Sequence, residues 1–430
     1  MKRFYLAVFL LFWATLGYMQ EGGVHSTESS GDHAEHVEGG EHANAGGEAH
    51  GDHAKFDPAA VAKHHISDAN VYTIMEAISI PLPTILYSKD KGLDIFSSAK
   101  FHADPHHHEN GHMSYNGYVL EGGSVYRVLD ASFPAEGGVE VDGFTSKKEM
   151  INGKERDVKY VKYEGQEFKL ENKTLWDGGA LGGGTTSFYD LSITKNVLAM
   201  ILVSLFLFWA FRKAAKAYQT NEGKAPKGIQ NFLEPLIEFI RDEAAIPFIG
   251  KKKYMKYFPF LLSVFFFILG LNLFGQIPFL GSVNATGNLS LTMVLAVIVF
   301  LLVNLNGNKH YWSHIFWMPG VPVPVRILLA IIEVMSLFIK PLTLMLRLAG
   351  NISAGHIAIL SFIGLIFIFG KSGESMVGSG VGSLISVPLT MFMMALELIV
   401  AFIQAFVFTI LTASYIGAAT EEHHHEEAHH

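Results

Sequence analysis

Arg347 lies inside an otherwise apolar run, Pro341-Leu-Thr-Leu-Met-Leu-Arg-Leu-Ala-Gly-Asn-Ile-Ser-Ala-Gly355, where hydrocarbon is the expected surrounding. A guanidinium at a bilayer centre costs roughly 2.5–3.5 kcal/mol on insertion scales, so a residue kept there serves a polar pathway or a partner. Arginine holds its proton under all physiological conditions. Beside a proton path it can repel protons or attract a carboxylate, but it cannot relay. Three further polar residues stand nearby: His356 on the same apolar stretch, and Glu397 and Gln404 on the next.

The loop joining these two stretches has its midpoint near position 377. In an antiparallel hairpin, residues at equal depth have numbers that sum to about twice the midpoint. Arg347 with Gln404 sums to 751 and His356 with Glu397 to 753, although apolar patterning requires neither match. Histidine and glutamate both exchange protons in the range where cells work, so the second pair reads as an intramembrane proton relay, with a structural ion pair as the alternative. His356 is nine residues from Arg347, about 180° around an ideal helix, whereas Asn351 shares the arginine's face. Either the helix deforms near Gly350 or Gly355 so that both pairs touch, or Arg347 faces a separate partner while His356 faces a water path. The small residues Ala349, Gly350, Ser353, Ala354 and Gly355 permit close approach of another helix.

The elements that position these residues follow from hydropathy and charge. Apolar stretches at residues 191–211, 257–274 and 289–305, a nearly continuous helical stretch from 325 to 369 broken only by Pro341, and another at 385–416 predict about five main transmembrane helices. The fourth would run about 67 Å, more than twice a roughly 30 Å hydrocarbon core, so the last two form a long hairpin that must bend or tilt. Lysines and arginines at 212, 213, 216, 224, 227, 251–253, 309 and 326 fall at alternate ends of the spans. That alternation puts the preceding N-terminal region outside and the C-terminus in the cytoplasm. Ile229, Phe232, Leu233, Leu236, Ile237 and Ile240 recur at helical spacing opposite Glu234, Glu238, Arg241 and Asp242, which predicts an amphipathic helix along the inner surface or against a partner helix.

Half of the 430 residues are hydrophobic and 17% are charged, which fits a polytopic membrane protein; the net charge of −8 argues against nucleic acid, and the lack of cysteine excludes disulfides and thiol chemistry. Residues 1–20 have the basic head and short apolar stretch of a signal peptide or N-terminal anchor. Residues 21–112 are His-rich and read as a largely disordered outer segment, too poor in large apolar side chains between 21 and 65 to bury a core. Histidine tracts can bind metals, but no fixed ligand geometry is visible and no metal site or cofactor is assigned. Residues 113–190 alternate apolar and polar positions, punctuated by Asn-Gly and Gly-Gly, and predict a small β-rich extramembrane module with an interaction or structural role. Gly178–Gly184 lacks the lysine of a phosphate loop and reads as linker. Residues 191–420 form the membrane domain, and 421–430 a His/Glu-rich tail.

Pro341 to His356, together with Gln404-Ala-Phe-Val-Phe-Thr-Ile-Leu-Thr-Ala-Ser-Tyr415, resembles subunit a of F-type rotary ATP synthases of the bacterial inner membrane. The resemblance extends more weakly through Asn272-Leu-Phe-Gly-Gln-Ile-Pro278 and Ala285-Thr-Gly-Asn-Leu-Ser290, and leaves the N-terminal region outside. It implies a non-catalytic stator proton-channel subunit, partnered by a ring of c subunits and the b subunits of a peripheral stalk. By that resemblance Arg347 faces the ring carboxylates, Asn351 and Gln404 are polar positions near it, Asn288 belongs to the outer half-channel, and His356 and Glu397 stand where many bacterial relatives carry the same two residue types in reverse order. A secondary transporter with a charged intramembrane site is the competing reading; it would need paired half-repeats, which the sequence lacks.

Overall fold

The hairpin signals of the N-terminal half and the long apolar stretches of the second half become two connected parts, a β module and a helical bundle. A computed structural model describes residues 68–421, apart from 75–77, 105–109, 135, 152–153, 175–185, 221–224, 278–282, 319–320 and 371–374. The leader or anchor at 1–20, the histidines at 25–65 and 106–108, the glycine-rich linker and residues 422–430 lie outside the described residues.

Among the described residues the module contains β1 (Val71–Ile74), β2 (Ile78–Pro81), β3 (Pro83–Ser88), β4 (Gly92–Ser97), β5 (Ala103–Asp104), β6 (Asn110–Gly111) and β7 (Met113–Tyr115). It continues with β8 (Tyr118–Glu121), β9 (Ser124–Val128), β10 (Gly138–Glu140), β11 (Gly143–Ile151), β12 (Lys154–Tyr163), β13 (Gln166–Glu171) and β14 (Phe188–Asp190). Seven strands form an antiparallel sheet in the order β10-β7-β8-β9-β13-β12-β11, and β14-β3-β4 form a second sheet. Asn116-Gly117 and Gly122-Gly123, all with positive φ, close the β7–β8 and β8–β9 hairpins as two-residue loops. Both central residues with φ above zero give the mirror-image turn that matches strand twist.

The start of the module corrects the expected boundary. Strands begin at Val71 rather than near residue 113, because Val71, Leu86 and Phe101 supply a buried core that the polar tract before them lacks. From β14 the chain runs on against β3, with Leu191 N donating to Ile85 O and Ile193 N to Pro83 O, and passes directly into the first span. Lys195 N donates to Ala69 O and Asn196 N to Asp68 Oδ1, so the residues preceding β1 brace the start of that helix.

The bundle comprises α1 (Lys195–Thr220), α2 (Ile229–Ile240), a π-turn at Arg241–Ala245, the single turn α3 (Ile246–Ile249), α4 (Tyr254–Gln276), α5 (Leu289–Leu305), α6 (Lys309–Phe316), α7 (Val323–Phe369) and α8 (Met376–Thr420). Among the described residues four helices, α1, α4, α7 and α8, are each long and apolar enough to cross a membrane, and α5 with α6 would make a fifth span bent by 104°. The molecule is thus a polytopic α-helical membrane protein carrying a β-rich module. On α2, Leu233 and Ile240 are buried as their spacing predicts, but Phe232 is 68% exposed. Pro341 and Pro388 lie within unbroken helices, so α7 and α8 extend about 70 and 67 Å at 1.5 Å per residue. They pack as the expected hairpin, with Ser386 Oγ donating to the Phe362 carbonyl. At the far end of α8 only glycine fits position 417, where any Cβ would collide with the Phe248 carbonyl of α3.

Candidate functional site

The middle of α7 has two faces of opposite character. Leu344, Met345, Leu348, Ala349 and Ile352 are buried against the bundle, while Arg347, Gly350, Asn351 and Ala354 are exposed. His356 is four residues beyond Ile352 and so belongs on the buried side. The helix runs unbroken through Gly350 and Gly355, with His356 turned toward Glu397 of α8 and Arg347 on the exposed side.

Glu397 on α8 is 5% exposed, and its Oε1 lies 2.9 Å from His356 Nδ1. The pair anticipated from matched depth therefore meets. The reason for its closeness is Gly355, where a Cβ would stand 3.0 Å from that same Oε1. Glycine leaves a notch in α7 into which the carboxylate fits. Imidazole against carboxylate in a largely buried site strengthens the charge interaction between them and sets two groups of acid–base character side by side.

For the second anticipated pair, Gln404 is buried on α8 and, among the described residues, makes no hydrogen bond to Arg347. Among the described residues no carboxylate comes within ion-pair distance of Arg347. A Cβ on Gly350 would meet nothing within 4 Å, so the strip beside the arginine is open. Asn288 is the N-cap of α5: its Oδ1 accepts from Ser290 N at 2.9 Å, satisfying one of the helix's free donors. Ser353 Oγ donates to Gly287 O at 3.3 Å and ties α7 to that cap. Asn288 thus sits beside α7 but is not brought to the His356–Glu397 pair by any hydrogen bond.

Some polar residues at the site escaped the reading of the last two helices alone. Asn272 on α4 is 3% exposed and donates from Nδ2 to Ala401 O at 3.1 Å, one turn from Glu397. Two turns along α7 from Arg347, on its lysine-rich side, a cavity of about 30 Å³ is lined by Asn304, Tyr311, Lys340 and Tyr415. Tyr311 OH donates to Asn304 Oδ1 at 3.3 Å, and Lys340 Nζ lies 5.6 Å from the centre of the Tyr415 ring. Such a space holds roughly one or two waters. The sequence signal that would have found these residues is the same one that found Glu397, polar side chains at matched depth, applied across all the spans.

Comparison with known proteins covers both parts of the chain. Residues 61–150 match a family described only as a domain of unknown function. Residues 194–417 match the family described as ATP synthase A chain. "ATP synthase subunit a" of Chlorobium phaeobacteroides (strain BS1) is 41% identical over 249 residues, which is 56% of this chain and 70% of the relative. The protein of the same name from Myxococcus xanthus (strain DK1622) is 38% identical over 255 residues, 56% of this chain and 77% of that one. The match of residues 194–417 takes in over half of the chain and contains the arginine, the notch and the paired acid and base, and on it the protein belongs to the ATP synthase A chain family, as a subunit a of the F-type enzyme.

Proposed function

We propose that this chain is the stator proton-channel subunit of a rotary ATP synthase. In this reading Arg347 faces a rotating ring of c subunits, and His356 and Glu397 pass protons to and from the ring's carboxylates. The observation that carries it is the two-sidedness of α7, with the His356–Glu397 pair packed toward α8 on one side and, on the other, an exposed Arg347 that has no ion-pair partner among the described residues. An acid and base held together within a bundle, with the imidazole still partly exposed, suit an access path. A permanent cation on an open strip of small residues suits an acidic partner that must come close and then leave.

The physical sequence is as follows. A proton enters from the module side, passes His356 and Glu397, and neutralises a ring carboxylate. Only the neutral acid can then turn into lipid, because a bare charge there is costly. After nearly a full turn the acid reaches a second aqueous half-channel on the lysine-rich side, offset from the first, and loses its proton. Arg347 holds the resulting carboxylate and keeps protons from crossing directly between the half-channels. Asn351 on the arginine's own face and Gln404 at its depth supply polar surroundings, and Asn288 stands at the module-side entry. The cavity of Asn304, Tyr311, Lys340 and Tyr415 belongs to the exit side. Each charge moved through 100 mV supplies about 2.3 kcal/mol, so several protons must be summed by rotation for one ATP. No nucleotide motif occurs in this chain, and ATP chemistry falls to other subunits.

The same reading sets the module outside a bacterial inner membrane, the C-terminus in the cytoplasm, and α2 against the b subunits of the peripheral stalk. In the assembled synthase, Arg347→Ala abolishes ATP synthesis driven by a proton gradient while the complex still assembles in the membrane. Normal coupling in that variant would defeat the assignment.

A further inference from the structure

Helices α4 and α8 run antiparallel in one fixed register. Lys253 Nζ, at the start of α4, donates to Thr420 O at 2.6 Å, and Asn272 Nδ2 donates to Ala401 O at 3.1 Å. Both pairs of positions sum to 673, so the register holds over the nineteen positions that separate them. The next pair in that register, one turn further toward the module, is Gln276 with Glu397. Gln276 closes the last turn of α4.

Independent contacts bring the same turn to the relay. Gly275 packs so closely that a Cβ there would stand 4.0 Å from His356 Nε2 and collide with the Val283 carbonyl. Among the described residues, Gln276 Nε2 is buried without a hydrogen-bond partner, as is Asn272 Oδ1 one turn below it. Glu397 Oε1, although 2.9 Å from His356 Nδ1, lacks an aligned donor. Buried polar atoms left unpaired are costly and call for a physical explanation. Here the unpaired set is complementary: an amide N–H at one end and a carboxylate oxygen at the other, at equal depth on facing helices.

We propose that Gln276 is a positioning residue of the proton path, whose amide donates to the Glu397 carboxylate, directly or through one water, and holds it toward His356. An amide does not relay protons under these conditions; its contribution is orientation. A carboxylate has about four lone-pair sites, so one can accept from the glutamine while another faces the imidazole. The inference rests on the relay role given above to His356 and Glu397.

The test uses the complete synthase in lipid vesicles and a near-isosteric variant without a donor, Gln276→Met, with Gln276→Leu as a second apolar replacement. Two quantities are read: passive proton conduction through the membrane sector, and the infrared carboxyl band of Glu397, identified by its loss in Glu397→Gln. Removing the amide moves that band and slows conduction on the order of tenfold, the factor expected from losing one charge-assisted hydrogen bond in a rate-limiting geometry. An unmoved band overturns the proposed contact. A moved band with unchanged conduction overturns the positioning role. Wild-type conduction in Glu397→Gln would instead remove the relay itself, and the band measurement would still decide whether glutamine and glutamate touch.

Discussion

A carboxylate that must rest against an imidazole between two helices needs a gap in one backbone, and Gly355 is that gap. Adding a methyl group there places a Cβ 3.0 Å from Glu397 Oε1 and 3.3 Å from its Cδ, so the acid must yield by a few tenths of an ångström. The helix itself gains, because alanine exceeds glycine in helix propensity by about 0.8–1 kcal/mol. Gly355→Ala therefore separates function from stability: proton conduction falls several-fold while thermal stability is held or raised. Equal losses in both would mean that the notch serves packing alone. Glu397→Gln makes the complementary point, since it keeps the shape of the side chain and removes its ability to exchange a proton. It impairs proton flow through the assembled sector more than it impairs assembly, read as the ratio of conduction to complex yield. Of the candidate residues, His356 and Glu397 were legible as a touching pair because depth in a hairpin is arithmetic on position numbers. Arg347 and Gln404 satisfy the same arithmetic without a hydrogen bond between them, since equal depth does not specify which way a side chain points around its helix.

Elements differ in how openly their sequences announce them. Residues 289–305 were bounded correctly because polar residues, Asn288 before the run and Asn306 to Lys309 after it, delimit an apolar stretch. The Asn-Gly and Gly-Gly hairpins were equally plain, since both loops demand positive φ and carry the residues that tolerate it. Strands β1 to β6 were hidden by the polar, histidine-rich tracts around them, because local composition does not reveal that Leu86 and Phe101 share a core with Tyr118 and Phe188 some distance along the chain. The junction of module and bundle was likewise invisible, being built from Asp68 and residues 194–196, more than 120 positions apart. Burial raises the pKa of Asp68, against the lowering influence of Thr194, Lys195 and the Asn196 amide. A carboxyl whose folded pKa is raised favours folding when protonated; that contribution is present at low pH and is lost as pH rises through the folded value. Asp68→Asn removes the titration. Its melting temperature in detergent exceeds that of the unaltered chain at pH 7 to 8, and the difference shrinks toward zero as the pH is lowered. A constant difference across that range would show that Asp68 ionisation does not bear on the junction.

At the scale of the whole molecule, the family match accounts for the bundle, while the module reaches the membrane through an uninterrupted strand-to-helix transition at Lys195. That continuity couples sidedness: once α1 is oriented, the module lies at its N-terminal end and the lysines at 251–253 near the opposite end. Lys253 donates to the carbonyl of Thr420, and Asn308 N donates to Ala419 O, so the start of α4, the start of α6 and the end of α8 gather at one end of the bundle. The excess of positive residues there fits the cytoplasmic face. Because the chain has no cysteine, single substitutions report sidedness without background. Ser132→Cys on the module and Lys252→Cys at the lysine-rich end replace exposed side chains. A membrane-impermeant maleimide should label Ser132→Cys in spheroplasts and leave Lys252→Cys unlabelled there. In inverted vesicles the pattern should reverse. The opposite result at both sites would turn the molecule over, send protons past His356 and Glu397 from the cytoplasm, and make their side of the path the exit during synthesis. Labelling of both sites from one side would break the link between the strand-to-helix transition and the span itself.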